Sequence, residues 1–213
     1  MRVVKEAEER RNEILDVAER LFSTKGFEQT STNDILLEIG IARGTLYYHF
    51  KSKEDILDAV IARITKQLLF LSAQIAQDKS ITVLERLTKA IIALNVNSSI
   101  GQEITSQLHK PQNALLHQKL QTTMIAGIVP ILTKLMEEGA AQGILQTDYP
   151  QEAVEMLMVY SNEAFDDLKE QTAEQKQQKI EGFIYNAERM LGMKKGSLQR
   201  TIMGIFENQQ EDI

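Results

Sequence analysis

The sequence predicts an all-α protein, and three observations carry that prediction. Strand signals are nearly absent, because runs that alternate Val, Ile or Thr with polar residues do not occur. Only three prolines and eleven glycines interrupt the 213 residues. Over most of the chain, apolar residues recur at the spacing of one helix face. We therefore expect helices joined by short loops.

The first fifty residues are expected to contain three helices. Ser31 is expected to cap the second of them, and Asp34 to complete a capping box with it. Gly26 and Gly40 are expected to end the first and second helices, as glycine does in a left-handed cap. These helices are predicted at about 4–24, 32–39 and 43–49.

A longer helical part follows. Ser52 opens the fourth helix, whose apolar stripe includes Leu57 and Ile61. Pro111 and Pro150 stand where two later helices are expected to start, a position that proline tolerates because its missing N–H has no intrahelical partner there. The later helices are predicted at about 53–77, 81–97, 101–108, 111–140, 150–168, 174–192 and 196–207.

The composition argues against a disulfide-linked, a membrane-spanning and a secreted protein. There is no cysteine, which excludes disulfides and thiolate metal sites. No run of about 18 apolar residues occurs, so no membrane-spanning helix is expected. The first residues are charged and lack the apolar centre of a signal peptide. The expected location is the cytoplasm.

The net charge of −6 is unevenly distributed, and this matters for nucleic-acid binding. Residues 1–53 carry nine Lys/Arg and nine Asp/Glu, so the whole excess of negative charge belongs to 54–213. Salt screens a charge over roughly 8–10 Å, so local clusters of cations count for more than the total. The N-terminal cations Arg2, Lys5, Arg10 and Arg11 fit either an arm that touches DNA or a solvated tail.

The third helix has one face suited to contact with a nucleic acid. On a helical wheel, Leu46 and Phe50 fall together and are expected to face the core. The other side carries glycine, hydroxyl groups and cations, which a core helix would not turn to water. Glycine allows close backbone approach, hydroxyls and histidine hydrogen-bond phosphate oxygens, and arginine bonds guanine bidentately. The residues on this face and its borders are Arg43, Gly44, Thr45, Tyr47, Tyr48, His49 and Lys51.

Two short helices joined by the tight turn "GIA" are typical of a helix-turn-helix. The stretch 21–57, "LFSTKGFEQTSTNDILLEIGIARGTLYYHFKSKEDIL", resembles the DNA-binding domain of the tetracycline-repressor (TetR) family of bacterial transcriptional regulators. The resemblance implies a helix-turn-helix DNA-binding domain at 1–50 and a larger helical ligand-binding and dimerisation domain at 51–213.

The resemblance also implies DNA contacts for particular residues. The positions of Ser31 and Thr32 lie near a phosphate in the family, and that of Lys53, at the first turn of the fourth helix, meets another. The chain departs from the family pattern at Leu36 and Ile39, where alanine is usual, and at Ala42, where a capping serine is usual. The implied DNA-binding residues are Ser31, Thr32, Arg43, Gly44, Thr45, Tyr47, Tyr48, His49 and Lys53.

Family resemblance further implies a dimer and an effector pocket. The helices at 150–168 and 174–192 would form a four-helix dimer interface, with two recognition helices about 34–36 Å apart on a pseudo-palindromic operator. An unknown small-molecule effector would bind within 90–165, where polar residues stand among apolar ones. The candidate ligand-binding residues are Asn95, Glu103, Gln107, His109, His117, Met124, Tyr160, Asn162 and Phe165.

The predicted function is a homodimeric, ligand-responsive regulator, expected to be a repressor, although activation is also open. The alternatives are a helical small-molecule-binding module that has lost DNA binding, and an all-α enzyme. Enzyme and metal signatures are poor: His109 and His117 lack an i, i+4 partner, and no glycine-rich phosphate loop occurs. We expect no catalytic residues, no metal and no cofactor.

Overall fold

The computed structural model describes residues 7–94, 111–166 and 171–200. Across these three ranges the regular elements are α-helices and one 3₁₀ turn, with no strand, which confirms the predicted all-α class. The helices are α1 (Ala7–Lys25), α2 (Thr32–Ile39), α3 (Arg43–His49), α4 (Lys53–Gln77), α5 (Val83–Ile92), α6 (Ala114–Ala141), α7 (Pro150–Asp166) and α8 (Ala173–Met190), and the 3₁₀ turn is Pro111–Asn113.

The bounds of α2, α3 and α4 agree with the predicted ones, whereas the long helix α6 begins later than expected. Its predicted start at 111 is wrong, because Pro111–Asn113 forms the 3₁₀ turn and the α-helix starts at Ala114. The fifth helix is also shorter than predicted, since α5 ends at Ile92. The helix predicted at 101–108 lies outside the described residues, as does most of 196–207.

The chain divides into two compact units. Unit 1 takes in the described residues of 1–67 and 96–123, and unit 2 takes in those of 68–95 and 124–213. Helix α4 therefore contributes 53–67 to unit 1 and 68–77 to unit 2. The predicted domain boundary between 50 and 51 stays a prediction.

Unit 1 packs α1 to α3 and the first part of α4 around a common apolar core. Phe22 and Ile35 are fully buried, and the Phe22 ring meets the Phe27 ring edge-on with centroids 5.2 Å apart. Arg63 of α4 joins α1 by two ion pairs of 2.5 Å, to Asp16 and Glu19. Because these two carboxylates lie one helical turn apart, one guanidinium engages both, which fixes α4 against α1.

Unit 2 has its own apolar core and a charged cluster beside it. The core includes Ile128, Leu132 and Val154, each almost fully buried. Arg86, only 2% exposed, binds the Glu138 carboxylate with both terminal nitrogens, one at 2.9 Å. Arg86 also donates a hydrogen bond to the carbonyl of Ala76 at 3.1 Å, and Lys79 pairs with Glu138 at 2.6 Å. The cluster thus joins the end of α4, α5 and α6.

Acid is expected to weaken this cluster. Hydrogen bonds from Arg86, then from Lys79, lower the pKa of Glu138 from 4.5 to about 2. A carboxyl whose pKa is depressed by folding stabilises the protein above its unfolded pKa, and that stability is lost as pH falls through the folded value. We therefore expect the free energy of unfolding to fall between about pH 4.5 and pH 2, and this part of the fall to disappear in Glu138→Gln. Urea unfolding at pH 6, 4 and 3 measures both, and an equal pH dependence in the two proteins would contradict the assignment.

Candidate nucleic-acid interface

The start of α2 is fixed by a complete capping box. The Ser31 hydroxyl accepts a hydrogen bond from the Asp34 backbone N–H at 3.1 Å, and the Ser31 N–H donates to the Asp34 carboxylate at 2.7 Å. Lys25, at the end of α1, pairs with the same carboxylate at 2.9 Å. The hydrogen bond from Lys25, followed by those from Ser31, holds the pKa of Asp34 well below its usual range. The predicted capping box is confirmed, and the Lys25 pair joins the start of α2 to the end of α1.

Helix α3 turns its predicted face away from the core. Leu46 and Phe50 are buried, at 1% and 3% exposure, whereas Tyr47 and Tyr48 are 43% and 77% exposed. Gly44 is also exposed, and no atom lies within 4 Å of the place that a Cβ would occupy there. The predicted orientation of these side chains is confirmed. Thr45, which the wheel placed beside them, is half-buried.

Tyr47 connects α3 to the beginning of α2. The side chains of Thr32 and of Arg43, which belongs to the same helix as Tyr47, lie near its hydroxyl. The Arg43 guanidinium carbon lies 5.6 Å from the centre of the Tyr47 ring. These contacts, that of Thr32 first, lower the pKa of Tyr47. Three of the predicted DNA-binding residues therefore form one contiguous group, in which Arg43 and Tyr47 are exposed and Thr32 is half-buried.

The far end of α3 lies beside cations of α1. The ring of Tyr48 meets that of His49 edge-on at 4.9 Å, and the Arg11 guanidinium lies over the Phe50 ring at 5.0 Å. Burial, followed by the positive charges of Arg11 and Arg10, lowers the pKa of His49. Sequence reasoning did not find this neighbourhood, because the two segments lie almost forty positions apart. Arg2 and Lys5 lie outside the described residues.

Lys53 is engaged with the protein itself. Its ammonium group donates a hydrogen bond to the carbonyl of Phe27 at 2.8 Å and lies 4.2 Å from the centre of the Phe27 ring. The carbonyl of Glu28 lies 3.5 Å away. The start of α4 is thereby attached to the turn between α1 and α2. That Lys53 meets a DNA phosphate stays a prediction.

The predicted effector residues are spread over the chain. Of the described ones, His117 belongs to unit 1, where its ring accepts a hydrogen bond from the Gln121 amide at 2.9 Å. The other four belong to unit 2, where Tyr160 stacks on Phe183 at 5.9 Å and Phe165 meets the same ring edge-on at 5.2 Å. Their role in ligand binding stays a prediction. The unit 2 residues are Met124, Tyr160, Asn162 and Phe165, and the residues outside the described ranges are Asn95, Glu103, Gln107 and His109.

An open groove of about 440 Å³ runs between α4 and α6 in unit 1. Its floor is apolar, and an ion pair between Lys119 and Asp58 lies on its rim. None of the predicted effector residues lines it. The lining residues are Asp58, Ile61, Ala62, Leu115, Gln118, Lys119, Thr122 and Thr123.

Exposed apolar side chains lie on the last two described helices and just before the first of them. On α7, Met156, Val159 and Tyr160 are 60%, 55% and 51% exposed. They recur at helical spacing and so lie on one side of α7. Tyr185 of α8 is 49% exposed, and Tyr149, just before α7, is 70% exposed. We name these five residues the α7–α8 face.

Neither a membrane-spanning helix nor a metal-binding cluster occurs in the part of the chain that the structure describes. No described helix has the length and apolar character needed to cross a membrane. Nor do three or more His, Cys, Asp or Glu side chains gather there in a way that would hold a metal ion.

Two family models match the chain. The model described as bacterial regulatory proteins, tetR family, matches residues 14–60, and the one described as tetracyclin repressor-like, C-terminal domain, matches residues 93–184. The first includes α2 and α3 entirely. Together the two account for most of the chain.

Curated relatives match over about a quarter of the chain. The HTH-type transcriptional regulator AcrR of Shigella flexneri is 47% identical over 55 residues, which are 26% of this chain and 26% of the relative. An HTH-type transcriptional regulator of Staphylococcus aureus strain USA300 is 48% identical over 59 residues, which are 28% of this chain and 32% of the relative. The chain thus matches about a quarter to a third of the length of these relatives.

Solved structures resemble the fold over nearly the whole chain. A TetR-family transcriptional regulator from Pectobacterium atrosepticum has a TM-score of 0.62 at 22% identity, covering 89% of this chain and 96% of that one. A gamma-butyrolactone receptor described as ArpA-like has a TM-score of 0.57 at 18% identity, covering 96% of this chain and 99% of that one. At such identities the likeness shows the fold alone, an N-terminal helix-turn-helix followed by a helical C-terminal part.

Proposed function

Because the chain belongs to the tetR family of bacterial regulatory proteins, we propose that it is a ligand-responsive transcriptional regulator, acting as a repressor. It binds a pseudo-palindromic operator as a homodimer, and a small-molecule effector releases it. The observation that carries this proposal is the exposed face of α3, where Tyr47 and Tyr48 point to solvent while Leu46 and Phe50 hold the helix to the core.

The chemistry of this face suits double-stranded DNA. The hydroxyls of Ser31 and Thr32 at the start of α2, and of the two tyrosines of α3, are groups that bond phosphate oxygens. Arg43 stands at the exposed N-terminal end of α3, from which an arginine reaches guanine O6 and N7 in the major groove. Exposed Gly44 lets the helix approach the groove closely. The remaining proposed DNA-binding residues are Thr45, His49 and Lys53.

The α7–α8 face supports the homodimer. An exposed row of methionine, valine and tyrosine side chains on α7 is unusual for a monomer surface and is the composition of an interface core. A second copy of the chain brings the same row, and a two-fold axis pairs the two rows with each other. Two recognition helices about 34–36 Å apart then read the two halves of one operator.

The effector acts by shifting a population between two dimer geometries. Helix α4 begins in unit 1, next to the DNA-binding helices, and continues into unit 2, so a change in its tilt alters the distance between the two α3 helices. To lower the share of dimers in the DNA-binding geometry from about 99% to about 1%, the effector must bind the released geometry about 10⁴-fold more tightly than the DNA-binding one. This difference is about 5.5 kcal/mol. The effector is proposed to lie among residues of the segment 90–165.

Selection of DNA from a random pool by the full-length chain tests this function. We expect a selected sequence with two related half-sites, and binding whose logarithm falls with the logarithm of salt concentration, with a slope of about −0.9 for each phosphate neutralised. Tyr48→Ala is expected to weaken binding to that sequence. Failure to enrich any sequence, and no gel shift even at low salt, would contradict the proposal and favour the helical module that has lost DNA binding.

Gly44→Ala is expected to separate folding from DNA binding. A Cβ at this position meets no atom within 4 Å in the protein, and alanine is favoured over glycine in a helix by about 0.5–1 kcal/mol, so the variant is expected to be as stable as the parent or slightly more so. The same methyl group would keep the backbone of α3 from approaching the DNA closely. We therefore expect operator affinity to fall by about tenfold. Thermal unfolding and gel shifts measure the two effects. An operator affinity equal to that of the parent protein would mean that DNA does not approach α3 at Gly44.

A further inference from the structure

Residues 112 and 113, just before α6, contact the end of α1 inside unit 1. The side chain of Asn113 is fully buried, and its Nδ2 donates a hydrogen bond to the backbone carbonyl of Ser23 at 3.1 Å. Gly26 has a φ of +93°, and the Cβ and Cγ of Gln112 lie only 2.9 Å from the place that a Cβ would occupy there. Two segments that are 90 positions apart in the chain therefore meet in a close, directional contact.

The same region of α1 and its following turn is also attached to α4. We name residues 23–30 the α1–α2 turn. Lys53, the first residue of α4, donates to the Phe27 carbonyl at 2.8 Å. Within the turn, the Thr30 hydroxyl donates to the Gly26 carbonyl at 2.7 Å. The α1–α2 turn is thus held from two sides, by the start of α4 and by the segment that leads into α6.

We infer that Asn113 is a positioning residue, which sets the orientation of the DNA-binding helices by attaching the α1–α2 turn to the start of α6, alongside the covalent connection through α4. The turn leads directly into Ser31, the cap of α2, and α2 leads into α3. A displacement of the segment at Asn113 is therefore transmitted to the DNA-binding face without passing along α4. This inference rests on the proposed DNA-binding function.

The contact at Asn113 is suited to this role because it resists sliding as well as separation. A buried amide that loses its carbonyl partner leaves two polar groups unpaired, which is costly in an apolar environment. Gln112 also fits closely against Gly26, since a Cβ at position 26 would lie only 2.9 Å from the Cβ and Cγ of Gln112. By contrast, an apolar contact without a hydrogen bond would allow several relative positions of similar energy.

Spin-label distances and operator binding in the full chain test the inference together. The sequence has no cysteine, so Asn12→Cys on α1 and Gln118→Cys on α6, both exposed positions of unit 1, provide two specific labels. Doubly labelled chains diluted in unlabelled protein report the distance within one chain. The test variant is Asn113→Leu, which keeps the side-chain size but cannot hydrogen-bond. The matched control is Asn186→Ala, which removes an exposed amide hydrogen bond of 2.8 Å to the Gly182 carbonyl of α8.

We expect Asn113→Leu to broaden the distance distribution and to weaken operator binding by about tenfold with an unchanged salt slope. Asn186→Ala is expected to change neither. A wild-type distribution, or a broadened one with wild-type affinity, overturns the positioning role. A weaker affinity with a smaller salt slope also overturns it, because that result means a direct phosphate contact.

A replacement variant and the distance measurement on wild-type protein cover the two cases in which Asn113→Leu alone gives no answer. If Asn113→Leu does not fold, Gln112→Gly replaces it, because Gln112 is exposed and the change removes both side-chain atoms, Cβ and Cγ, that lie against Gly26. The same two readouts then support or overturn the inference. If the wild-type chain binds no DNA, the proposed function fails, whereas the distance measurement still reports whether Asn113 holds the turn.

Discussion

Replacing Met156 and Val159 together with aspartate is expected to split the proposed homodimer and to lower operator affinity by about 10²–10⁴-fold. Both side chains are more than half exposed on the α7–α8 face, so the substitutions leave the core of each chain intact. Two carboxylates within an apolar interface lose their hydration without gaining partners, which strongly disfavours association. The loss of affinity follows because a dimer binds its second half-site at high effective concentration, an advantage that a monomer lacks.

Sedimentation measures the mass of the particle, and gel shifts on the selected operator measure its affinity. The matched control is Gln74→Asp, which adds one negative charge at an exposed position of α4 in the same unit and is expected to leave both quantities unchanged. Circular dichroism checks that the variant chain is still helical. A particle with the mass of two chains in the double variant would contradict the assignment of the α7–α8 face to the dimer.

Arg43→Ala is expected to lower affinity for the selected operator by roughly 30-fold to 10⁴-fold, the sum over both half-sites, and to relax the preference for one base pair in each half-site. A bidentate arginine–guanine contact is worth about 1–3 kcal/mol of discrimination, and each operator has two half-sites. In the structure the guanidinium lies over the Tyr47 ring and within reach of its hydroxyl, which orients the side chain on the exposed face of α3. We expect little change in stability, because Arg43 is exposed.

The control for lost charge is Lys134→Ala, an exposed cation of unit 2. Repeating the selection from the random pool with each variant shows whether base preference has changed. We expect Arg43→Ala to accept several base pairs at one position of each half-site and Lys134→Ala to return the wild-type sequence. An Arg43→Ala protein with unchanged base preference and a lower salt slope would assign Arg43 to a phosphate instead.

Local signals in the sequence were sufficient to predict the helices that carry the candidate DNA-binding face. Ser31 and Asp34 form the predicted capping box, and Gly40 has the left-handed φ of +72° that its place after α2 requires. The spacing of Leu46 and Phe50 predicted which side of α3 is buried. These predictions succeeded because helix caps and helix faces depend on residues only three or four positions apart.

Where contacts join distant segments, the sequence was less informative. The start of α6 is displaced to Ala114 by a 3₁₀ turn, in which Asn113 bonds a carbonyl of α1. The ammonium of Lys53 is held by Phe27, whereas its position in the motif had predicted only a phosphate contact. Similarly, α7 carries both buried Val154 and exposed Val159, and periodicity does not tell which of its sides faces a partner.

The all-α class, the three N-terminal helices and the solvent-facing side of α3 follow from local sequence, because each depends on short-range spacing and capping. The neighbours of those helices follow from the folded chain: Arg11 next to the end of α3, Lys53 on the α1–α2 turn, and Asn113 against Ser23. Those contacts join residues far apart in the chain, and they form only when the core brings the helices together.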